Sequence, residues 1–227
     1  MFNRTTKSTH TTTGTSTGTG TARRALGRIA LSAVVAAGVL GAVAGPANAR
    51  TAAPVSVPGS ASPPSSYALI LPLTGLSAER LATADLVAAA KWGTGSPIDD
   101  PAREQVVLDS VRQQAEAAGA DPEATVAVFR DQIEANKLVQ RGLHRLWDAD
   151  PSKAPAERPD LTEVRKEINR INTELVRAVA ASDRARAARS CRGVLAVTAV
   201  HVRHEKRLDR LHTMALVRAV PSVCASR

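Results

Sequence analysis

Residues 79–92 contain two basic side chains that have no acid one helical turn away. Arg80 and Lys91 are 11 residues apart, which in an α-helix is close to three turns and about 16 Å along one face. Ala84 and Val87 lie between them on that face, and no carboxylate stands three or four residues from either cation. A cation that faces a core without a local acid needs an anion from elsewhere. We therefore predict that both side chains help to bind a small polyanion.

Two arginines from other predicted helices extend this set. Arg103 falls in the first turn of a helix, where a cation opposes the helix dipole; a short ion pair with Asp99 or Asp100 is the alternative interpretation. Arg165 borders an apolar stripe and has no acid one turn away, unlike the neighbouring Lys166, which has Glu163. Arg103 and Arg165 are therefore candidates for the same anion site.

Two amides interrupt the clearest apolar stripe in the chain. The stripe repeats every three or four residues, as one face of a helix does, and consists of Phe129, Ile133, Asn136, Gln140, Leu143 and Trp147. A buried amide without a partner costs about 1–3 kcal/mol. Asn136 and Gln140 therefore predict a polar pocket inside a helical core, with a pair of structural hydrogen bonds between helices as the alternative.

The elements that must position these residues are all predicted to be helices. The chain is rich in Ala, Leu, Val, Arg and Glu, and nothing in it has the alternation of a strand. We expect an all-α, single-domain bundle of about five to six helices. Asp100, Asp121 and Asp160 are predicted N-caps. The helices are placed at about residues 72–92, 101–118, 122–147, 161–181 and 191–220, with a break near 181–190.

The N-terminal region has the features of an export signal. Arginines precede an apolar run at residues 29–44, and a small-residue cleavage pattern ends at Ala49. We predict a signal peptide over 1–49, a disordered Ala/Pro/Ser linker over 50–68 and a helical domain over 69–227. The apolar run is short and no second one follows, so no stable membrane anchor is expected. The residues leave export through the Sec or the Tat route open.

Removal of the signal peptide changes the charge of the chain. Residues 1–49 carry five basic residues and no acid, so the formal charge falls from +9 to +4. The mature charge gives no argument for a nucleic-acid partner, and none is expected. Cys191 and Cys224 are the only cysteines, and in an exported chain they predict one disulfide, with two free thiols as the alternative.

No residue pattern indicates a metal or a covalent mechanism. His201 and His204 share a helix face, but no third ligand is apparent, so no metal is expected. No catalytic nucleophile signature and no phosphate loop occur. Arg203, Arg207 and Arg210 form a row on the last predicted helix, which is usually a solvated face; a polyanion-binding surface is the alternative.

Four segments and two late cysteines together resemble the exported, gamma-type chorismate mutases of the AroQ family. The segments are ERLATADLVAAAKW, PIDDPAR, VFRDQIEANKLVQ and PDLTEVRKEINRIN, and the likeness spans about residues 73–224. It implies an all-helical isomerase of aromatic amino-acid biosynthesis in the shikimate pathway, which converts chorismate to prephenate by a unimolecular Claisen rearrangement without cofactor or metal. It leaves a homodimer open and implies that each chain builds its own site.

The resemblance also implies roles for the candidate residues. Arg80 and Arg165 would bind the substrate carboxylates, and Arg103 would support them. Lys91 and Gln140 would donate hydrogen bonds to the ether oxygen. Asn136 would help to bind a carboxylate and Asp100 would lie near the substrate hydroxyl.

Two positions bear on how this chain compares with the family. Gln140 stands where family members carry either Glu or Gln. Val107 stands where relatives often carry a polar side chain that contacts the substrate. A catalytically inactive, secreted helical protein that binds a dicarboxylate or another polyanion is the alternative function.

Overall fold

Seven α-helices and two short 3-10 helices make up residues 63–224, the part of the chain described by the computed structural model. No strand occurs in this range, which confirms the all-α prediction. The predicted signal peptide and residues 50–62 of the predicted linker lie outside it. The α-helices are α1 (Ser66–Lys91), α2 (Pro101–Ala117), α3 (Pro122–Ala149), α4 (Leu161–Ala181), α5 (Asp183–Ala187), α6 (Cys191–Glu205) and α7 (Arg210–Ala219). The 3-10 helices are Pro151–Lys153 and Pro221–Val223.

Helix α1 begins six residues earlier than the sequence indicated. Ser65 caps it by accepting a hydrogen bond from the backbone N–H of Ala68 (3.2 Å). Residues 66–68, the end of the predicted linker, are therefore helical. Pro72 lies inside the helix rather than at its start. Proline removes one backbone hydrogen bond there, and the complete burial of Ile70 and Leu73 on either side offsets that loss.

The predicted N-caps of α2, α3 and α4 are confirmed. The carboxylate of Asp100 accepts from the backbone N–H of Arg103, and that of Asp121 accepts from Ala124. Asp160 accepts from the N–H of Thr162. These caps fix where the helices that carry the candidate site residues begin.

The prediction of a single helix over residues 191–220 is wrong. This segment divides into α6 and α7 at a turn where Arg207 has a φ of 49°, in the left-handed region that ends a helix. Asp209 then caps α7 through the N–H of His212 (2.8 Å). Because the helix is interrupted, Arg203, Arg207 and Arg210 do not form a row along one helix. This removes the pattern on which the alternative polyanion surface depended.

Helix α1 occupies the centre of the bundle and packs against α3, α4, α6 and α7. The core between them contains fully buried Leu81, Phe129, Leu175 and Leu216. The predicted disulfide is formed: Cys191 at the start of α6 is bonded to Cys224, with Cα atoms 5.8 Å apart. No helix within residues 63–224 is both long and apolar enough to cross a membrane.

Candidate active site

All seven predicted site residues line one cavity between α1, α2, α3 and α4. They are Arg80, Lys91, Asp100, Arg103, Asn136, Gln140 and Arg165. The bundle thus brings together residues from four helices that are up to 85 positions apart in the chain. The apolar part of the wall is formed by Val87, Ile98, Val107, Ile133, Leu161 and Ile168.

Arg80 is a buried cation held by neutral groups. Its side chain belongs to α1 and the residue is 5% exposed. Nε donates to Oδ1 of Asn172 over 2.9 Å, and Nη1 donates to the backbone carbonyl of Gln132 over 3.1 Å. No carboxylate within residues 63–224 forms an ion pair with it. Burial lowers the pKa of Arg80 to about 10, so the guanidinium is charged at neutral pH, oriented and not neutralised.

Lys91 is the last residue of α1 and reaches over the cavity. Nζ donates to the backbone carbonyl of Pro97 over 2.8 Å, which ties the loop between α1 and α2 to the site. Burial lowers the pKa of Lys91; the charge of Arg165 acts in the same direction, while Asp100 acts against it. Lys91 forms no ion pair with an acid of the described region, so two of its ammonium hydrogens can serve a guest.

Arg103 and Arg165 complete the set of cations without ion pairs in residues 63–224 that line the cavity. The alternative interpretation of Arg103 is not supported by the geometry. Asp100 accepts from the backbone N–H of Arg103, not from its guanidinium, and Asp99 is bonded to Arg141 at 2.6 Å. Arg165 is an exposed residue of α4 and lines the same cavity.

The two amide residues of α3 are buried: Asn136 is 8% exposed and Gln140 is 6% exposed. Nδ2 of Asn136 donates to the carbonyl of Gln132 one turn earlier in the same helix. Oε1 of Gln140 is buried and has no hydrogen-bond partner in the described part of the chain. The pair therefore does not form the interhelical hydrogen bonds that were the alternative. Nε2 of Gln140, the donor of the amide, also forms no hydrogen bond within residues 63–224, so it can donate to a ligand in the cavity that Gln140 lines.

Sequence reasoning missed two charged residues of the wall, Glu104 and Lys137. Nζ of Lys137 lies 3.2 Å from Glu104 and 3.3 Å from Asp99, and it also pairs with Glu134. Glu134 precedes Lys137 by three residues, a spacing typical of a solvated surface pair, and this concealed its role. Lys137 is only 9% exposed. Its charge is balanced by acids, unlike the charges of the four predicted cations.

The fold and this cavity define an all-α protein in which four cations without ion pairs in residues 63–224 line one cavity. Comparison with known proteins identifies its family. The family model for chorismate mutase type II matches residues 73–141. The secreted chorismate mutase of Mycobacterium tuberculosis is 30% identical over 152 residues, which is 67% of this chain and 76% of that protein.

Further relatives agree. The secreted chorismate mutase of Mycolicibacterium smegmatis is 41% identical over 49% of this chain, and the match spans 61% of that relative. The chorismate mutase from Burkholderia phymatum, known from a crystal structure, is 33% identical in sequence to this chain. The two structures superpose with a TM-score of 0.67 over 71% of this chain and 99% of the Burkholderia chain. The chain belongs to the chorismate mutase family. Its predicted export is confirmed by the secreted relatives together with the disulfide.

Proposed function

We propose that this protein is a chorismate mutase that converts chorismate to prephenate. The main evidence for this proposal is that four cations without ion pairs in residues 63–224 line one cavity. They are Arg80, Lys91, Arg103 and Arg165. Chorismate is a dianion, so its two carboxylates can pair with two of the four cations and leave positive charge near the reacting atoms. Membership of the family supports the assignment.

Arg80 of α1 and Arg165 of α4 bind the two carboxylates, and Arg103 adds positive charge to the same cavity. Guanidinium–carboxylate pairs are directional as well as attractive. Because Asn172 and the Gln132 carbonyl hold Arg80 through two of its nitrogens, its charge is aimed before the substrate arrives. Asn136, one turn before Gln140, helps to bind a carboxylate.

Lys91 and Gln140 act on the reacting atoms. In the rearrangement the C–O bond breaks ahead of C–C bond formation, so negative charge gathers on the ether oxygen. Donors from the Lys91 ammonium and the Gln140 amide stabilise that oxygen more in the transition state than in the substrate, which raises kcat. The cavity walls hold the enolpyruvyl arm over the ring as a near-attack conformer. The step requires no proton transfer and no covalent intermediate.

The carboxylates of the cavity supply what Val107 does not. Val107 is apolar and lines the wall, so it accepts no hydrogen bond from the substrate hydroxyl. Asp100 and Glu104 line the same cavity, and a carboxylate accepts hydrogen bonds from a hydroxyl. We assign hydroxyl recognition to Asp100, with Glu104 as a second acceptor next to it.

The decisive experiment follows the decay of chorismate absorbance with the purified mature protein. Lys91→Ala should lower kcat by about 10²–10³-fold, the usual cost of losing one donor to a developing oxyanion. Lys166→Ala is the matched control, because Lys166 is an exposed lysine paired with Glu163, and it should leave kcat unchanged. Chorismate binding without turnover in the unaltered protein would instead identify a non-catalytic binding protein.

Assembly and processing are proposed on the same basis. The seven candidate site residues lie in one chain, so we propose that each subunit of a homodimer would build its own site. Light scattering of the mature protein tests for the homodimer. N-terminal sequencing of the exported protein tests the predicted cleavage near Ala49.

A further inference from the structure

A second basic cavity lies at the disulfide, separate from the candidate active site. It is lined by Arg186, Arg189 and Arg192, together with Ala187, Ala188, Cys191 and Cys224. No residue is common to the two cavities. The volume is about 330 Å³, which accommodates a small anion with water. The proposed mutase function uses none of these side chains.

Arg186 is the central side chain of this cavity. The residue is only 5% exposed, and its Nε donates to the backbone carbonyl of Val223 over 2.8 Å. Its two terminal nitrogens have no hydrogen-bond partner within residues 63–224, and no acid of that range lies within ion-pairing distance. Burial lowers the pKa of Arg186, and Asp183 and Asp121 oppose this only from a distance. A buried cation that is held by one neutral carbonyl and lines a cavity points to an anionic ligand.

The charge of the surrounding sequence also favours an anionic ligand at this cavity. Residues 183–192 hold four arginines and a single acid, Asp183. The first turn of α6 contains no acidic residue, and its N-cap, Ser190, makes no side-chain hydrogen bond. Arg192 belongs to that first turn, where the helix dipole opposes a cation. The segment therefore carries an excess of positive charge, with Asp183, three residues before Arg186, as its only acid.

We propose that Arg186, Arg189 and Arg192 form a binding site for a small tetrahedral oxyanion of the phosphate class. Such an ion presents oxygens in several directions, which suits guanidinium groups that converge from different backbone positions. Arg186 supplies the buried, pre-oriented donors. Arg189 and Arg192 are exposed and close on the ion from the solvent side. The Cys191–Cys224 bond forms a fixed wall of the cavity.

Calorimetric titration of the mature protein with inorganic phosphate at low ionic strength tests the site. We expect saturable binding of one phosphate per chain at this site, beyond any phosphate that the four cations of the active-site cavity bind. The double variant R189Q/R192Q should weaken that binding by about tenfold or more, since two charge-assisted contacts are lost. The matched control is R177Q/R203Q, which removes two exposed arginines that lie outside the cavity and should leave the affinity within about twofold.

The remaining measurements separate this site from the active site and from a folding defect. Circular dichroism tests whether both double variants are folded. Arg186→Lys keeps the positive charge but loses the two-pronged guanidinium, so it should weaken phosphate binding as well. The proposal is overturned if phosphate does not saturate, or if R189Q/R192Q binds it as tightly as R177Q/R203Q, which would place the ion elsewhere. Equal binding of succinate would also overturn it, because the site would then select carboxylates. None of these readouts depends on mutase activity.

Discussion

Arg80 and Asn172 join α1 to α4 through a hydrogen bond of 2.9 Å between Nε and Oδ1. Both residues are nearly fully buried. The amide oxygen of Asn172 orients the guanidinium of Arg80 and leaves its charge in place. A carboxylate at the same position would neutralise that charge. A neutral acceptor is therefore the choice that keeps Arg80 available to an anionic substrate.

Asn172→Asp should convert this orienting contact into an ion pair. Arg80 would then be neutralised before the substrate arrives, and the new carboxylate would repel the substrate. We expect KM for chorismate to rise about tenfold or more, with a smaller change in kcat, because the loss falls mainly on charge-assisted binding. Steady-state kinetics measure both.

Asn169→Asp is the control for this change. Asn169 is an exposed residue one turn earlier in α4, so it adds the same charge to the same helix without contacting Arg80. An equal rise of KM in both variants would show that general repulsion, and not the loss of the Arg80 charge, is responsible.

The side chain of Gln140 predicts how activity depends on pH. An amide donates a hydrogen bond at any ordinary pH, so kcat should be nearly constant between about pH 5 and 8. In Gln140→Glu the carboxyl must be protonated to donate. Activity of that variant should therefore fall as pH rises, approaching tenfold per pH unit above the pKa of the new carboxyl.

The unaltered protein is the reference for this comparison, measured in the same buffers with chorismate at saturation. A steep loss of activity in the unaltered protein between pH 5 and 8 would exclude Gln140 as the donor. A flat profile for Gln140→Glu would show that this position does not act on the reacting oxygen.

The sequence predicted the cations of the site because the signal was local. The absence of an acid one turn from Arg80, Lys91 or Arg165 can be read directly from the chain, and so can the capping aspartates. The partner of Arg80 could not be read in this way. Asn172 lies 92 residues away, and no local rule connects a helix-four amide to a helix-one arginine.

Two other features of the structure were not predicted from the sequence. Lys137 was concealed by its spacing from Glu134, and its link to Glu104 spans 33 residues. The division of the last helix required Arg207 to adopt a positive φ, which is uncommon for a residue other than glycine. Long-range contacts explain the first feature, whereas the second had a local signal that was missed: Asp209 is an N-cap of the same type as Asp100, Asp121 and Asp160.

The Cys191–Cys224 bond should stabilise the fold without affecting catalysis. It closes a loop of about 34 residues, for which the chain-entropy relation gives about 3.8 kcal/mol. We expect Cys191→Ser/Cys224→Ser to lower the free energy of unfolding by up to that amount. Because neither cysteine lines the active-site cavity, kcat at low temperature should be unchanged.

Urea denaturation with and without a thiol reductant provides the control. Reduction should lower the stability of the unaltered protein to that of the double variant and should not affect the variant. If kcat falls along with stability in the folded double variant, the two regions of the molecule are coupled.

His212 predicts a loss of stability at alkaline pH. Its ring lies between two carboxylates, with Nε2 2.9 Å from Asp85 of α1 and Nδ1 2.8 Å from Asp209 at the start of α7. The hydrogen bond to Asp85, opposed by burial and aided by Asp209, raises the pKa of His212 from 6.5 to about 9. The folded pKa exceeds the unfolded one, so the stabilisation is complete below pH 6.5 and is lost as pH rises through 9.

His212→Asn should therefore be less stable than the unaltered protein at pH 6, by about 3 kcal/mol from the size of the shift. The difference between the two should narrow by a similar amount by pH 10, where His212 is neutral in both states. Urea unfolding at the two pH values measures it. His201→Asn is the control, because His201 is exposed and only 3.4 Å from the exposed Glu205, and its effect should be small and nearly independent of pH. If His212→Asn lowers the free energy of unfolding by the same amount at pH 6 and pH 10, the ring stabilises the α1–α7 contact by packing and not by charge.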